Sequence, residues 1–170
     1  MIQKLTLKNF RNHTYLDLEF KKPFVYFHGD NGTGKTSILE SIYFCATTKS
    51  HRTSDERELI KREEPFTHVK IVTKEHKYDL VLSKHGKRAS INGVEKRKIS
   101  DFIGHLRVVM FAPEDLDLIK GSPANRRQFL DLEQMQLSKE YLRQLNTYKN
   151  VLKQRNSLLK KINIDDDFTF

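Results

Sequence analysis

The sequence contains a single cysteine, Cys45, and no tryptophan. One cysteine excludes a disulfide within the chain and any zinc site built from several cysteines. Long apolar runs are lacking as well: no uncharged stretch approaches the roughly 20 residues that a membrane-spanning helix needs, and residues 1–10 carry no signal-peptide segment. These absences predict a cytoplasmic protein with no membrane partner. Cys45 itself lies on a predicted helix, where it is expected to be a small core residue.

Negative charge is scarce relative to positive charge. The 170 residues include 31 Lys and Arg against 22 Asp and Glu, which gives a formal net charge of +9. A basic excess of this size favours a polyanionic partner such as nucleic acid, although a basic surface that is merely solvated has the same composition. The length is that of one ordinary domain or of a lobe of something larger.

The strongest positive signal is the glycine-rich stretch Gly29–Ser37, with the sequence GDNGTGKTS. It fits the phosphate-binding pattern G-x-x-x-x-G-K-[ST]. A loop that wraps a polyphosphate must point several backbone N–H groups inward, and glycine permits the backbone angles that this requires. Lys35 is predicted to reach the β and γ phosphates, Thr36 to bind Mg²⁺ through its hydroxyl, and the following helix to add its N-terminal dipole.

The flanks of this stretch favour a phosphate loop over a simple surface turn. Phe24–Phe27, a run of aromatic and β-branched residues, predicts a buried strand before the loop. After the loop, apolar residues recur at helical spacing from Ile38 to Ala46. Strand, glycine loop and helix is the context that the pattern requires.

Alternating apolar residues predict further strands. Two lie within residues 2–7 and 15–20 and are joined by a polar turn, and two more are centred on residues 69–72 and 78–82. The pair Asn92-Gly93 is a strong type I′ hairpin signal after Ile91. Val108–Phe111 predicts another buried strand.

The remainder of the chain predicts helices. Ser122 followed by Pro123 has the pattern of a helix cap, and this helix is expected to bury Phe129, Leu130 and Leu132. From Ser138 a long helix is predicted, in which the leucines at positions 145, 152 and 159 lie seven residues apart, as in a coiled-coil seam.

Several charged residues have two interpretations. Arg11 could contact a nucleotide phosphate or ribose, or be an exposed turn arginine. The basic cluster Lys49, His51 and Arg52 could face the nucleotide or a partner subunit, or belong to a solvated loop. The basic residues within 84–98 could meet the phosphates of a nucleic acid, or protect a sheet edge.

A nucleotide hydrolase of this loop class also needs an apolar strand that ends in Asp, which holds Mg²⁺ and polarises water. Here Val108–Phe111 is followed by Ala112 and Pro113 before Glu114, which lies too far past the strand for that arrangement. The signature loop that would sense a second phosphate is also missing from the sequence. We therefore expect nucleotide binding without a complete hydrolytic site.

Three motifs together resemble one family. They are an opening L-x-N-F-R-N that includes Arg11, the loop Gly29–Ser37, and PEDLDLIKGSPANRRQFLD over Pro113–Asp131. The chain is similar in these motifs to the bacterial RecF recombination-mediator family, within the ABC-type ATPases that include the SMC proteins. Because members are about twice as long, the sequence resembles an N-terminal fragment cut within a helical arm.

The resemblance implies an α/β P-loop NTPase fold: an ABC/SMC-type ATPase head lobe with a mixed sheet over residues 1–112, then a helical domain and the start of a coiled-coil arm over 113–170. It implies ATP and Mg²⁺ as ligands, Arg11 as a phosphate or ribose contact, and Glu114 as a candidate substitute for a Mg²⁺-sensing glutamine. The metal ligand is Thr36. The predicted nucleotide-binding residues are Gly29, Asp30, Asn31, Gly32, Thr33, Gly34, Lys35, Thr36, Ser37 and Arg11.

The resemblance also implies a function: ATP-dependent DNA binding in recombinational repair and replication restart, with a preference for single-stranded and gapped DNA. The partners would be DNA, a second copy of the chain bound through ATP, and other recombination mediator proteins. Intact members are weak DNA-dependent ATPases, and this chain alone is not expected to hydrolyse ATP. Two alternatives remain: a generic P-loop ATPase or kinase acting on a small substrate, and a non-enzymatic fragment without productive nucleotide binding.

Overall fold

A computed structural model describes residues 1–113 and 121–166, with side chains up to residue 161. Its strands are β1 Ile2–Phe10, β2 His13–Glu19, β3 Phe66–Thr73, β4 Lys77–Ser83, β5 Gly86–Ile91 and β6 Val94–Glu95. Its helices are α1 Lys35–Thr47, α2 Pro123–Leu137 and α3 Lys139–Asp166, with short 3-10 turns at Glu56–Leu59 and Ile99–Asp101. The strands form one sheet in the order β2-β1-β3-β4-β5-β6, and each neighbouring pair is antiparallel.

The core lies between one face of this sheet and α1. Alternate residues along the strands, such as Leu7, Ile71 and Leu80, have no exposed surface and pack with Phe44 of α1. The alternation predicted from the sequence is therefore confirmed. Cys45 is a fully buried core residue, also as predicted, and its burial raises the pKa of its thiol well above the ordinary range.

The geometry of the tight turns is the one that their residue types favour. Asn92 and Gly93 both have positive φ, 53° and 81°, which is the type I′ geometry predicted for this dipeptide. At the other hairpin, Phe10 is paired with His13, so Arg11 and Asn12 alone connect β1 to β2. These two residues and His13, the first residue of β2, carry polar side chains toward the glycine-rich loop and α1.

Two predicted buried strands do not form, and this corrects the sequence analysis. Residues 24–27 and 108–111 have no regular secondary structure, and Phe24 is 83% exposed and Val109 90% exposed. A strand needs a neighbour that satisfies its backbone N–H and C=O groups, and no described strand lies beside either segment. The α/β class is confirmed, but the sheet is antiparallel throughout its described strands rather than mixed.

The segment 108–111 is nevertheless held at one end. The side-chain amide of Gln136 accepts a hydrogen bond from the Val108 backbone N–H at 3.0 Å and donates one to the Val108 carbonyl at 3.1 Å. The segment also lines an apolar groove with Leu39, Ile42 and Tyr43 of α1. One buried glutamine thus makes the two backbone contacts that a neighbouring strand would otherwise make at this residue.

In α2 the predicted N-cap is confirmed, but the predicted burial of its apolar residues is not. Ser122 accepts a hydrogen bond from the backbone N–H of Asn125 at 3.4 Å, and Pro123 opens α2, as predicted. The expectation that Phe129 and Leu130 are buried is wrong, because they are 36% and 56% exposed, and Leu132 is only partly buried. The reason is that α2 packs through its last turn, where the buried residues are Met135 and Gln136.

The long helix predicted from Ser138 is confirmed as α3. Its first turns pack on the body of the protein through Leu142, which is 5% exposed, whereas Leu152 and Leu159 on the predicted seam are 36% and 42% exposed. Within the described residues, no helix has both the length and the apolar character that crossing a membrane requires.

Candidate nucleotide-binding site

The glycine-rich stretch forms a loop that leads directly into α1. Gly29, Gly32 and Gly34 all have positive φ, at 139°, 84° and 96°. At Gly34 a Cβ atom would lie 2.4 Å from the Nε2 atom of His13 and 2.9 Å from the Nδ2 atom of Asn12, so a larger residue would displace these side chains. The same two side chains reach the loop carbonyls: Asn12 donates to Gly32 O at 3.3 Å, and His13 Nε2 lies 3.2 Å from Gly34 O. The β1–β2 hairpin therefore holds the phosphate loop through side-chain contacts with its carbonyls.

Lys35 spans the loop that precedes it. Its ammonium donates to the carbonyls of Gly29 and Asp30 at 2.8 and 2.6 Å, and lies 3.4 Å from the hydroxyl of Thr33. The Thr33 hydroxyl in turn donates to Asp30 O at 2.9 Å. A bound phosphate would compete with these carbonyls for the ammonium, because an anion is the stronger acceptor.

The first turn of α1 provides the other groups that a phosphate requires. The helix begins at Lys35, and the backbone N–H of Ile38 is bonded to Gly34 O at 3.1 Å. The backbone N–H groups of residues 35–37 therefore precede the regular hydrogen bonds of the helix, and they carry its positive dipole end. Thr36 is exposed on this turn, whereas Ser37 is buried. The Thr36 hydroxyl could thus supply one ligand to a metal ion held mainly by phosphate oxygens.

A cavity of about 790 Å³ opens in front of the loop. This volume lies in the range of cofactor sites. Four of its lining residues are Lys or Arg and one is Glu, so its lining favours an anion. The cavity is lined by Arg11, Asn12, Asn31, Gly32, Gly34, Lys35, Thr36, Ser37, Arg52, Glu58, Ile60 and Arg62.

The structure brings most of the predicted site residues together at this cavity, although their contacts with a nucleotide stay predictions. Those that line it are Arg11, Asn31, Gly32, Gly34, Lys35, Thr36 and Ser37. Gly29, Asp30 and Thr33 belong to the same loop and surround the Lys35 ammonium. Glu114, the candidate for a role in Mg²⁺ sensing, lies outside the described residues. Among the described residues, no cluster of three or more His, Cys, Asp or Glu could hold a metal ion by itself.

Arg11 lines the cavity but is already paired with a buried acid. Its Nε and Nη2 atoms donate to the two carboxylate oxygens of Glu40 at 3.0 and 2.7 Å. Its Nη1 atom donates to the carbonyl of Glu58 at 3.1 Å and lies 3.5 Å from the Glu58 carboxylate. The hydrogen bond to Glu40 is the main reason why the pKa of Arg11 is raised further above its usual value.

Glu40, the only acidic residue of α1, has no exposed surface. Besides Arg11 it accepts a hydrogen bond from the Ser50 hydroxyl at 2.6 Å, and Arg52 Nη1 lies 3.7 Å from its other oxygen. Burial pushes the pKa of Glu40 up, but the hydrogen bonds from Arg11 and Ser50 and the two arginine charges outweigh it, so the net shift is downward. Sequence reasoning missed this residue; the available signal was one carboxylate within an apolar helical run.

The residues of the basic cluster that follows α1 lie in different surroundings. Arg52 faces the nucleotide cavity, as one interpretation of the sequence expected. Lys49 instead lines a separate cavity beside α2 and α3. The ring of His51 packs edge-on against Tyr43, with 5.7 Å between the centroids. The cluster is therefore not a single surface.

The basic hairpin β4–β5 contains one structural lysine. Lys87 Nζ donates to the Thr48 carbonyl and to the Glu56 carboxylate, at 2.5 Å in each case. Desolvation lowers the pKa of this half-buried ammonium, although the Glu56 hydrogen bond opposes the effect. Lys84 and His85 at the tip of the hairpin are exposed.

Comparison with known proteins relates the whole chain to one group of proteins. Residues 4–169 match the family model described as an AAA domain. The DNA replication and repair protein RecF of Acholeplasma laidlawii is 58% identical over 170 residues, which cover 100% of this chain and 49% of the relative. RecF of Halalkalibacterium halodurans is 48% identical over 165 residues, which cover 95% of this chain and 44% of the relative. The chain thus spans about half the length of the curated relatives that it matches.

Solved structures show the same relationship. The recombination mediator protein RecF with ATP, from the RecFOR pathway, superposes with a TM-score of 0.86 at 33% identity, over 95% of this chain and 46% of that one. A structure described under ATP-driven dimerisation and DNA-stimulated activation of SMC ATPases has a TM-score of 0.60 at 22% identity, over 77% of this chain and 98% of that one, and shows a shared fold. The predicted P-loop NTPase fold is confirmed. The resemblance to RecF seen in the sequence motifs is confirmed by relatives that match over the whole chain, and the chain belongs to the AAA domain family.

Proposed function

We propose that this chain is the ATP-binding part of a protein that binds DNA in an ATP-dependent manner during recombinational repair and replication restart. The observation that carries the proposal is the glycine loop Gly29–Ser37, which opens onto a cationic cavity at the start of α1. The relatives supply the biological setting, because they are named as DNA replication and repair proteins and one is solved with ATP.

In this proposal ATP is held as Mg²⁺·ATP by the loop and the first turn of α1. Lys35 exchanges the carbonyls of Gly29 and Asp30 for phosphate oxygens, and the Thr36 hydroxyl binds the metal ion. Arg11, which also lines the cavity, contacts a phosphate or the ribose. Each of these groups lies on the cavity or in its loop, which supports the assignment.

DNA binding and dimerisation are the parts of the proposal that rest on relatives. The solved SMC ATPases are described by ATP-driven dimerisation and DNA-stimulated activation. The net charge of +9 suits a nucleic-acid partner, whose affinity should then fall steeply with salt. We propose that two copies close around ATP, hold single-stranded or gapped DNA, and act with other recombination mediator proteins.

We further propose that residues 1–112 are the head lobe and that residues 113–170 begin the helical arm. The exposed apolar residues of the segments 24–27 and 108–111 would then pack against the part of the head that lies, in the longer relatives, outside the matched region. Hydrolysis would need that part too. This arrangement distinguishes the proposal from an ATPase or kinase that is complete in itself and acts on a small substrate.

Binding of Mg²⁺·ATP to the 170-residue chain by isothermal calorimetry tests the proposal. We expect saturable binding that Lys35→Ala abolishes, because the variant loses the cation of the loop. Lys74→Ala, which removes an exposed lysine from the β3–β4 turn, is the matched control and should bind as the wild type does. Equal binding by the wild type and Lys35→Ala, or no binding by a wild type with a folded circular-dichroism spectrum, would overturn the proposal.

A further inference from the structure

Glu40 lies on the helix that follows the phosphate loop, and its carboxylate is completely buried. A buried carboxylate is costly unless cations and hydrogen-bond donors satisfy it. Here Arg11 donates to both oxygens, Ser50 donates to one of them, and Arg52 adds a second positive charge. The group therefore stays ionised inside the protein.

The two arginines that satisfy Glu40 are also walls of the nucleotide cavity. A guanidinium has five N–H donors in a fixed plane, and Arg11 uses three of its nitrogens on Glu40 and on the Glu58 carbonyl, each for one of these bonds. The plane of Arg11 is thus fixed while further N–H groups remain. Arg52 is only 3.7 Å from Glu40, which is an ion-pair distance longer than a hydrogen bond, so its donors are less committed.

We infer that Glu40 is a positioning residue of the nucleotide site: its buried carboxylate orients the guanidinium groups of Arg11 and Arg52 toward the phosphates. The inference rests on the proposed nucleotide binding and extends it to a residue that does not itself line the cavity. Orientation before binding matters because an arginine that is already immobilised loses less side-chain entropy when the phosphate arrives.

The same carboxylate connects the site to the segment after α1. Ser50 donates to Glu40 and accepts hydrogen bonds from the backbone N–H groups of Arg52 and Thr53 at 3.0 and 3.2 Å. At the far end of the segment, the Arg11 backbone N–H donates to Leu59 O at 2.8 Å. Glu40 therefore sets both the guanidinium of Arg52 and the backbone turn from which that side chain projects.

Glu58 provides a contrast on the same arginine. Its carboxylate is 3.5 Å from Arg11 Nη1, as part of an ion pair, but its side chain is 58% exposed and lies on the cavity wall. It does not hold the guanidinium by a bidentate bond, and its charge repels an incoming phosphate. Neutralising Glu58 should therefore strengthen nucleotide binding, whereas neutralising Glu40 should weaken it.

Glu40→Gln and Glu58→Gln are compared by titration with Mg²⁺·ATP, after circular dichroism shows that each is folded. For Glu40→Gln we expect about a ten- to hundred-fold loss of affinity, because a neutral amide cannot hold two arginines. For Glu58→Gln we expect tighter binding. A charge effect acting through space would make both variants bind more tightly, so the opposite signs identify positioning.

A double-mutant cycle separates positioning from a general loss of structure. If Glu40 acts through Arg11 and Arg52, Glu40→Gln should have little further effect in a background that carries Arg11→Gln and Arg52→Gln. A structural role would instead add its full penalty in that background. Should Glu40→Gln fail to fold, Ser50→Ala removes one hydrogen bond from the same carboxylate, and we expect about a two- to five-fold weaker affinity.

The outcomes distinguish this inference from the proposed function. Wild-type affinity in folded Glu40→Gln, or in Ser50→Ala if that variant has to replace it, overturns the inference while Lys35-dependent ATP binding stands. An additive penalty in the cycle overturns it as well. Absence of Lys35-dependent binding in the wild type overturns the proposed function first, and the inference with it.

Discussion

Two apolar segments of this chain, β3 and residues 108–111, contain residues that favour strands, but only β3 is paired and buried. In β3, Val69 and Ile71 have no exposed surface and lie between β1 and β4. In residues 108–111, Val109 and Phe111 are 90% and 83% exposed, and the backbone pairs with no strand of the described sheet. Both segments consist of residue types that favour strands, so the difference lies in what surrounds them.

The contrast separates what the residues of a strand determine themselves from what the surrounding chain must supply. A β-branched or aromatic side chain favours the extended backbone wherever it occurs. Pairing and burial require a second strand at the correct distance, and only the surrounding chain can supply it. Val108 illustrates the intermediate case, because the Gln136 amide replaces the neighbouring strand at one residue.

The largest expected effect is on the free energy of unfolding, when one aliphatic residue of each segment is replaced by alanine. Ile71→Ala removes buried methyl groups from the core and should lower the free energy of unfolding by about 2–5 kcal/mol. Val109→Ala removes exposed methyl groups and should change it by less than about 0.5 kcal/mol. Urea denaturation of both variants measures the difference, and comparable losses would show that residues 108–111 are buried in solution.

An intermediate effect on stability is expected when Gln136, which bonds to the Val108 backbone as a neighbouring strand would, is replaced. Gln136→Ala removes both hydrogen bonds to the Val108 backbone and should cost about 1–3 kcal/mol of unfolding free energy. It should also speed hydrogen exchange at the Val108 amide. Gln134→Ala, at an exposed position on the same helix, is the control and should change neither quantity. Unchanged exchange in Gln136→Ala would contradict this account of the segment.

The smallest effect concerns a buried charge rather than a buried apolar group. The pKa of Glu40 in the folded protein lies below its ordinary value of 4.5, so its paired carboxylate stabilises the fold above that pH. This contribution is lost as the pH falls through the folded-state pKa. Urea denaturation between pH 7 and pH 3 should therefore show a shallower loss of stability in Glu40→Gln than in the wild type. Parallel curves would mean that Glu40 does not contribute to acid unfolding.

Much of the local structure could be predicted because its causes are local. Asn92-Gly93 adopts the positive φ angles that only a few residues tolerate, and Ser122 caps the helix that Pro123 opens. The phosphate loop was recognisable for the same reason, since its three glycines adopt positive φ angles that other residues rarely tolerate. The exposure of Phe129 and Leu130 was not predictable in this way, because it depends on which face of α2 meets the rest of the protein.

The sequence by itself determined the strands of the hairpins, the loop and the start of α1, because turn residues, alternation and glycine spacing act over a few residues. Only the tertiary structure decided that Arg11 meets Glu40, residues that lie 29 positions apart and on different elements. It also decided that Arg52 enters the cavity while Lys49 does not. These contacts depend on how β1, α1 and the following segment pack, and a charge pattern read along one chain does not specify which distant charges become neighbours.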